Sequence, residues 1–365
     1  MIQTQPTKPS QSVATMKAFC MLGLERTGFL DKPIPSPGPN DAVIKTTHAL
    51  ICTSDSHTVR GAIGPREGLT LGHEAVGIVH AIGSEVKRFK PGDRVVVGAI
   101  TPDWGSKEAQ NGYPSQSGGA LCGWKFANVK DGVFAEYFHV NEADANMALI
   151  PASVPSEKAV YCADMLSTGF VAAEHGEIPI GGSVAVFAQG PVGLMATVGA
   201  KLRGAGLIIA VETDPKRAQL SREYGANLVV DFKKEDPVAR ILAETGGIGV
   251  DTAIEALGSQ KTFEWCVDVT KPGGTISNVG YHGSGDYVQI PRTAWGVGMA
   301  DKTIRTGLCP GGSLRMERLL RVLEQGAVDP TKLTTHTFQF KDMEKAFDVM
   351  DRKLEGVLKP LILFT

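Results

Sequence analysis

A thiol, an imidazole and two carboxylates stand in three short motifs of this chain. They are C-T-S-D-S-H over Cys52–His57, G-H-E-A-V-G over Gly72–Gly77 and A-D-M-L-S-T-G over Ala163–Gly169. Cys52, His73 and Asp164 offer sulfur, nitrogen and oxygen donors, a set that holds zinc, with the Glu74 carboxylate beside them. Three protein donors leave the fourth position of a tetrahedral ion open, as in catalytic rather than structural sites. Each residue also has a plain explanation. A buried cysteine is a small hydrophobe, a histidine satisfies a local bond, and Asp164 is placed to cap a helix expected near Ser167. Cys162, two residues before Asp164, is an equal donor on chemistry alone. Spacing does not decide among these.

Downstream, Ser183–Ala188 reads as a buried strand and Pro191–Arg203 as a helix, with Pro191 where a missing N–H does no harm. Between them, Ala188-Gln189-Gly190-Pro191-Val192-Gly193 follows the pattern G-x-G-x-x-G with Ala188 in place of the first glycine. In this setting Gly190 lets the backbone approach a pyrophosphate, Gly193 lets the helix pack on the strand, and the helix N-terminus attracts phosphate. The turn from Gln189 to Gly193 is therefore a candidate cofactor contact; the plain alternative is an ordinary strand-to-helix turn. Glu212 ends the expected strand Leu207–Val211, about 20 residues on, where a carboxylate accepts the adenosine ribose hydroxyls. Its charge repels a 2′-phosphate, and Thr213 and Asp214 place no arginine immediately beside it. NAD is expected over NADP, with Lys216 and Arg217 close by.

The elements that must position these residues fall into two kinds. A chain of 365 residues suits two domains. From Met16 to about Ile150 short strands dominate (Ala42–Ile51, Glu74–Ile82, Arg94–Val97), punctuated by Pro33–Pro39 and Lys90–Asp93. Ile100–Lys130 is a long polar insert with Trp104 and Trp124, of the kind that serves as a functional or interface loop. After Asp164, strands alternate with helices. Pro215–Tyr224, Asp236–Glu244 and Gln260–Val269 read as helices; Ala226–Val230, Val250–Ala256 and Gly274–Val279 read as strands. That alternation implies an α/β fold with a doubly wound parallel sheet, which binds ligands at its strand carboxyl ends. Leu314–Leu323 and Lys341–Met350 look helical, and Lys359–Phe364 looks like a closing strand that rejoins the first module.

Bulk composition narrows the partners. Lys and Arg number 37 and Asp and Glu 39, so the net charge of -2 gives no reason to expect nucleic acid or an anionic membrane. No apolar run approaches the roughly 20 residues that span a bilayer. Residues 1–15 are polar, read as a flexible tail, and lack the apolar core of a signal peptide. The six cysteines are scattered, with no C-x-x-C pair, which fits a reducing cytoplasm.

These motifs resemble those of the zinc-dependent medium-chain alcohol dehydrogenases. The resemblance rests on Gly72-His73-Glu74-x-x-Gly77 with Gly83 and Val86 at the family's offsets, on Cys52–His57 and on Asp164–Gly169. Trp124–Phe126, Asp131–Phe134, Tyr281–Asp286 and Gly307–Gly312 match the tetrameric secondary-alcohol branch, and the likeness runs from Met16 onward. It implies a β-rich GroES-like catalytic domain (16–166 and 309–365) plus a Rossmann domain (167–308), assembled as a homotetramer. It makes Cys52, His73 and Asp164 the ligands of one catalytic zinc, with Glu74 able to join or leave the metal. The insert holds only Cys122, so no structural zinc is expected. Ser54 would take the alcohol's proton and pass it toward His57. Thr168, Val279, Tyr281 and Lys353 would line the cofactor, and Ala99, Ile100, Trp124, Leu308 and Cys309 the substrate pocket. Those five offer no cation and suit small neutral secondary alcohols and methyl ketones. NADP-using members of that branch carry small and basic residues at the positions of Glu212–Asp214, and an aromatic hydroxyl at Phe232. The expected function is zinc- and NAD-dependent, reversible oxidation of small secondary alcohols. The alternatives are a polyol, threonine or formaldehyde dehydrogenase on the same scaffold, or a zinc-free nucleotide-binding protein.

Overall fold

Strand Ala42–Leu50 organises the first half of the fold. Its β-branched run and its antiparallel neighbour Glu74–Ile82 pair from Ala42 opposite Ile82 to Leu50 opposite Glu74. Cys52 thus follows the end of one strand and His73 precedes the start of the next, so the register brings the two together. Gly77 permits the approach, because a Cβ there would lie 2.2 Å from the Lys45 carbonyl oxygen. The full sheet has seven strands, in the order Thr334–Gln339, Lys359–Leu363, Ala42–Leu50, Glu74–Ile82, Arg94–Val97 and Met147–Leu149, with Tyr137–Val140 also paired to Ala42–Leu50. Its closing strand places Leu361 opposite Leu50, which carries Lys359 alongside the Cys52 loop. A hairpin of Thr15–Gly23 and Arg26–Pro33 contributes Phe19 and Met21 to the same core. The structure, a computed structural model, describes residues 14–365. The expected tail lies outside them except for Ala14 and Thr15, and Thr15 already opens the first strand.

The second sheet is parallel, with six strands in the order Leu228–Val230, Leu207–Val211, Ser183–Phe187, Val250–Glu255, Thr270–Asn278 and Thr303–Thr306. Strand order reverses direction between Ser183–Phe187 and Val250–Glu255, which opens a crevice at their carboxyl ends. The crossover helices Pro215–Tyr224 and Pro237–Glu244 start at Asp214 and Asp236, whose side chains accept from backbone N–H groups of the first turn. Strand Thr270–Asn278 begins four residues before the expected Gly274, and Leu228–Val230 two residues after the expected Ala226. The sixth strand, Thr303–Thr306, is absent from the sequence reading because its polar T-I-R-T text carries no apolar run. The insert contains a short helix, Lys107–Gln110, capped by the Ser106 hydroxyl. No helix among the described residues is long and apolar enough to cross a membrane.

Helix Met165–His175 joins the two halves and crosses helix Pro191–Leu202 at close range. Arg315 ties it to helix Ser313–Glu324, donating from Nη2 to the Ser167 carbonyl at 2.8 Å and from Nη1 to Glu174 at 2.6 Å. The crossing needs a residue without a side chain: a Cβ at Gly169 would stand 2.4 Å from Met195 Cβ and 2.6 Å from its carbonyl carbon. Gly169→Val is expected to lower unfolding free energy by about 1–3 kcal/mol through overpacking, measured by urea denaturation. An unchanged midpoint would mean that the helices separate freely.

Candidate active site

Cys52, His73, Glu74 and Asp164 meet at the mouth of that crevice, each offering one donor atom within 4.8 Å of the others. His73 Nε2 lies 3.5 Å from Asp164 Oδ2 and 3.8 Å from Glu74 Oε1. Donors around a tetrahedral zinc sit roughly 3.3–3.7 Å apart, from bond lengths near 2.0–2.3 Å. The His73–Asp164 spacing falls in that range, and the orientation of His73 suits such an ion too. Its Nδ1 donates to Asp55 Oδ1 at 3.2 Å, which leaves the Nε2 lone pair facing the cluster. Asp55 uses its other oxygen to accept from the Cys52 N–H at 2.8 Å, so one carboxylate orients two of the donors. Glu74 Oε2 is buried with no hydrogen-bond partner, a further sign that the pocket is completed by a cation.

Asp164 and Cys162, both possible donors by spacing, are placed differently. Asp164 precedes helix Met165–His175, but its side chain caps no backbone N–H. It faces His73 and accepts the Thr168 hydroxyl instead. Cys162 lies fully buried in the core, outside the donor cluster, where burial pushes its thiol up.

The electrostatics follow from crowding anions in a dry place. Burial pushes the Cys52 thiol up, yet the Lys359 ammonium and His73 pull harder and leave it at about 7. Burial opposes charge on His73, but Asp55 and Asp164 outweigh it and hold its pKa well above the ordinary value. Asp164 ends below the ordinary carboxylate value, because bonding to His73 overcomes burial. Glu74 is raised well above its ordinary value by burial, despite its ion pair with Lys359. Such a site is short of positive charge.

A cavity of about 1010 Å³ runs from this cluster to the nucleotide turn. Cys52, Ser54, His57, His73, Asp164, Ala99, Ile100, Trp124, Leu308 and Cys309 line it, as do Thr168, Gly190, Pro191, Val192, Val279, Tyr281 and Lys353. Four expected cofactor residues do not reach its wall. Gln189 points into the core, where its Oε1 accepts the Thr197 and Ser221 hydroxyls at 3.0 Å each. Gly193 backs the turn, since a Cβ there would lie 1.9 Å from the Ala188 carbonyl oxygen. Glu212 is 6 % exposed and already accepts the N–H groups of Gln189 (3.1 Å), Thr213 (2.8 Å) and Asp214 (2.9 Å). Thr213 lies outside the cavity with it. A carboxylate has about four acceptor sites, so one remains for a ribose hydroxyl. Ala188 sits at φ 69°, the conformation for which the usual first glycine is suited. The five pocket residues named from sequence offer no cation, but the cavity as a whole has several: Arg305 is paired with Glu177, Lys359 with Glu74, and Lys353 donates to Thr53.

Two family descriptions match the chain: "Alcohol dehydrogenase GroES-like domain" over residues 38–152 and "Zinc-binding dehydrogenase" over residues 191–324. The chain belongs to the zinc-dependent medium-chain alcohol dehydrogenases. It is 53% identical over 350 residues to the NADP-dependent isopropanol dehydrogenase of Thermoanaerobacter brockii, covering 95% of this chain and 99% of the relative. An alcohol dehydrogenase of Cupriavidus necator is 44% identical over 360 residues, covering 95% and 98%. Among solved structures, alcohol dehydrogenase TADH from Thermus sp. ATN1 superposes with a TM-score of 0.87 at 29% identity, over 96% of this chain and 100% of that one. The first relative's name specifies NADP, where the sequence reading expects NAD.

For this alcohol dehydrogenase, sequence reasoning missed Asp55 and Lys359. Asp55 stands three residues after Cys52, the spacing of a capping box, and that signal was available. Lys359 had none, because it reads as the start of an apolar closing strand. Lys359→Met leaves Glu74 buried without its cation and is expected to lower the unfolding free energy of the metal-free protein by about 3–5 kcal/mol. The double variant Lys359→Met/Glu74→Gln is expected to regain most of that loss. Urea melts with a chelator present measure both, and a double variant as weak as the single one would refute the pairing.

Proposed function

We propose that this alcohol dehydrogenase interconverts small secondary alcohols and methyl ketones, with one zinc held by Cys52, His73 and Asp164 and with NAD as the preferred cofactor. The observation that carries the reading is the cluster of four donor residues, three of them assigned here to zinc, beside a largely apolar cavity at the sheet's switch point. Zinc supplies Lewis acidity that lowers the pKa of an alcohol, and the nicotinamide supplies a hydride acceptor. The chain's own residues do the rest. Trp124, Ile100 and Leu308 present apolar surface that suits a short alkyl group and exclude water from it. The Ser54 hydroxyl, 3.3 Å from His73 Nε2, relays the proton of the alcohol, accepting it as it releases its own toward His57. His57, on the same helix and at the cavity wall, receives it and releases it to solvent. Burial and the nearby Arg60 and Lys353 lower the His57 pKa, so its imidazole is neutral and able to accept at pH 7. A homotetramer in the cytoplasm accords with this reading.

Glu212 supports NAD, because a 2′-phosphate would come against a carboxylate that is already ionically and sterically committed at the strand end. A second reading, NADP, draws on the name of the Thermoanaerobacter brockii relative and on Arg217, whose Nη1 lies 3.9 Å from Glu212 Oε2. Steady-state kcat/KM with each cofactor separates them: wild type is expected to favour NAD, and a wild type that favours NADP refutes the role given to Glu212. Glu212→Gly is expected to move the ratio toward NADP by about tenfold or more, as like charges brought together cost several kcal/mol.

Cys52→Ser is expected to abolish NADH formation from 2-propanol while NADH still binds, followed by absorbance and by calorimetry. Turnover of sorbitol or threonine but not 2-propanol in the wild type would overturn the substrate class. Removal of zinc by chelator without loss of turnover would favour a metal-free protein.

A further inference from the structure

Strand Val250–Glu255 ends in a carboxylate that none of the chemistry above employs. Glu255 is fully buried, and a carboxylate in such a place must find donors. It finds four bonds on one side. Oε1 accepts from the N–H of Leu257 at 3.0 Å and of Gly258 at 2.9 Å, and from the Thr262 hydroxyl at 2.6 Å. Oε2 shares the Gly258 N–H at 3.0 Å and faces His282 Nε2 at 3.6 Å.

The next strand's loop packs directly onto this knot. The N–H groups of Val279 and Gly280 donate to the Glu255 carbonyl at 3.0 and 3.2 Å. A Cβ at Gly280 would stand 2.0 Å from Glu255 Oε2, and one at Gly258 would stand 2.1 Å from the Tyr281 carbonyl oxygen. Two loops are thus pressed backbone to backbone around one carboxylate. Their outer faces, at Ala256, Leu257, Val279, Gly280 and Tyr281, form one wall of the main cavity. Tyr281 also approaches His57, with ring centroids 5.4 Å apart, so this wall reaches the metal end. Glu212 and the strand Leu207–Val211 lie on the opposite side of the switch point.

We propose that Glu255 is a positioning residue for the nicotinamide half of the cofactor: its carboxylate holds the 256–258 and 279–281 loops together as a preformed wall. This rests on the dinucleotide reading of the cavity given above. An amide at this position would keep one acceptor oxygen and set an N–H₂ donor against backbone N–H groups. The wall would loosen, and the nicotinamide half would have to order it on binding. The 188–193 turn and Glu212, which would hold the adenine half, make no hydrogen bond to the Glu255 carboxylate, so that half is expected to keep its affinity.

Calorimetric titration of the zinc-loaded, full-length protein with a dinucleotide and with AMP separates the two halves. The dinucleotide is NADH or NADPH, whichever the wild type binds more tightly. Glu255→Gln is expected to weaken dinucleotide binding by about tenfold or more, as buried donors lose their acceptor, with zinc content and AMP affinity unchanged. Thr262→Val removes only the hydroxyl bond and is expected to shift dinucleotide affinity the same way by about two- to fivefold; it decides the matter if Glu255→Gln does not fold. Dinucleotide affinity equal to wild type in the folded variants, or equal losses for dinucleotide and AMP, overturns the proposal and leaves Glu255 a purely structural residue. A wild type that binds neither probe removes the dinucleotide reading itself.

Discussion

Too many anions share too little water around His73. Cys52, Asp55, Glu74 and Asp164 converge on a single imidazole, three of these five groups are almost fully buried, and the buried Lys359 ammonium pairs with Glu74. Desolvated carboxylates and thiolates are tolerated only when paired or bound to a metal. This demand shapes the rest of the molecule. It explains why the last strand must return beside the strand that precedes Cys52, since that return delivers Lys359. It explains why Asp55 serves as both helix cap and histidine partner. A divalent ion at the proposed site would complete the balance that Lys359 begins.

The nucleotide half obeys a different constraint, close backbone approach. Ala188 adopts a left-handed conformation, and Gly193 has no room for a Cβ against the Ala188 carbonyl. Gly190 faces open space, where a pyrophosphate would lie. The same logic recurs across the switch point, where Gly258 and Gly280 allow two loops to close on Glu255. Both sides of the crevice are therefore built from tight backbone contacts braced by a buried acid. Glu212 braces one side and Glu255 the other, each through N–H groups of the following loop. Helix Met165–His175 starts directly after Asp164 and carries Thr168, and at Gly169 it packs closely against Met195 of helix Pro191–Leu202, which follows the Gly190 turn.

Much of this was legible in the linear text. Glu74–Ile82, Arg94–Val97, Leu207–Val211, Pro215–Tyr224 and Gln260–Val269 have the bounds that their periodicity predicts. The apolar or amphipathic pattern, proline at the first helical turn and aspartate caps are all local signals. Thr303–Thr306 escaped because an exposed edge strand needs no apolar face. Motif position says nothing about which way a side chain turns, and the hydroxyls of Thr197 and Ser221 draw the Gln189 side chain inward, away from the cavity.

The sequence by itself determined the donor chemistry, the alternating strand–helix order and the family to which the motifs belong, because residue type and short-range periodicity are properties of neighbours in the chain. Only the tertiary structure decided that Asp164 rather than Cys162 faces His73, that Lys359 answers Glu74 across 285 residues, and that Glu255 stands behind the cavity wall rather than in it. Those outcomes depend on sheet register and on where buried charge finds a partner, and such partners are chosen in space after the strands have paired.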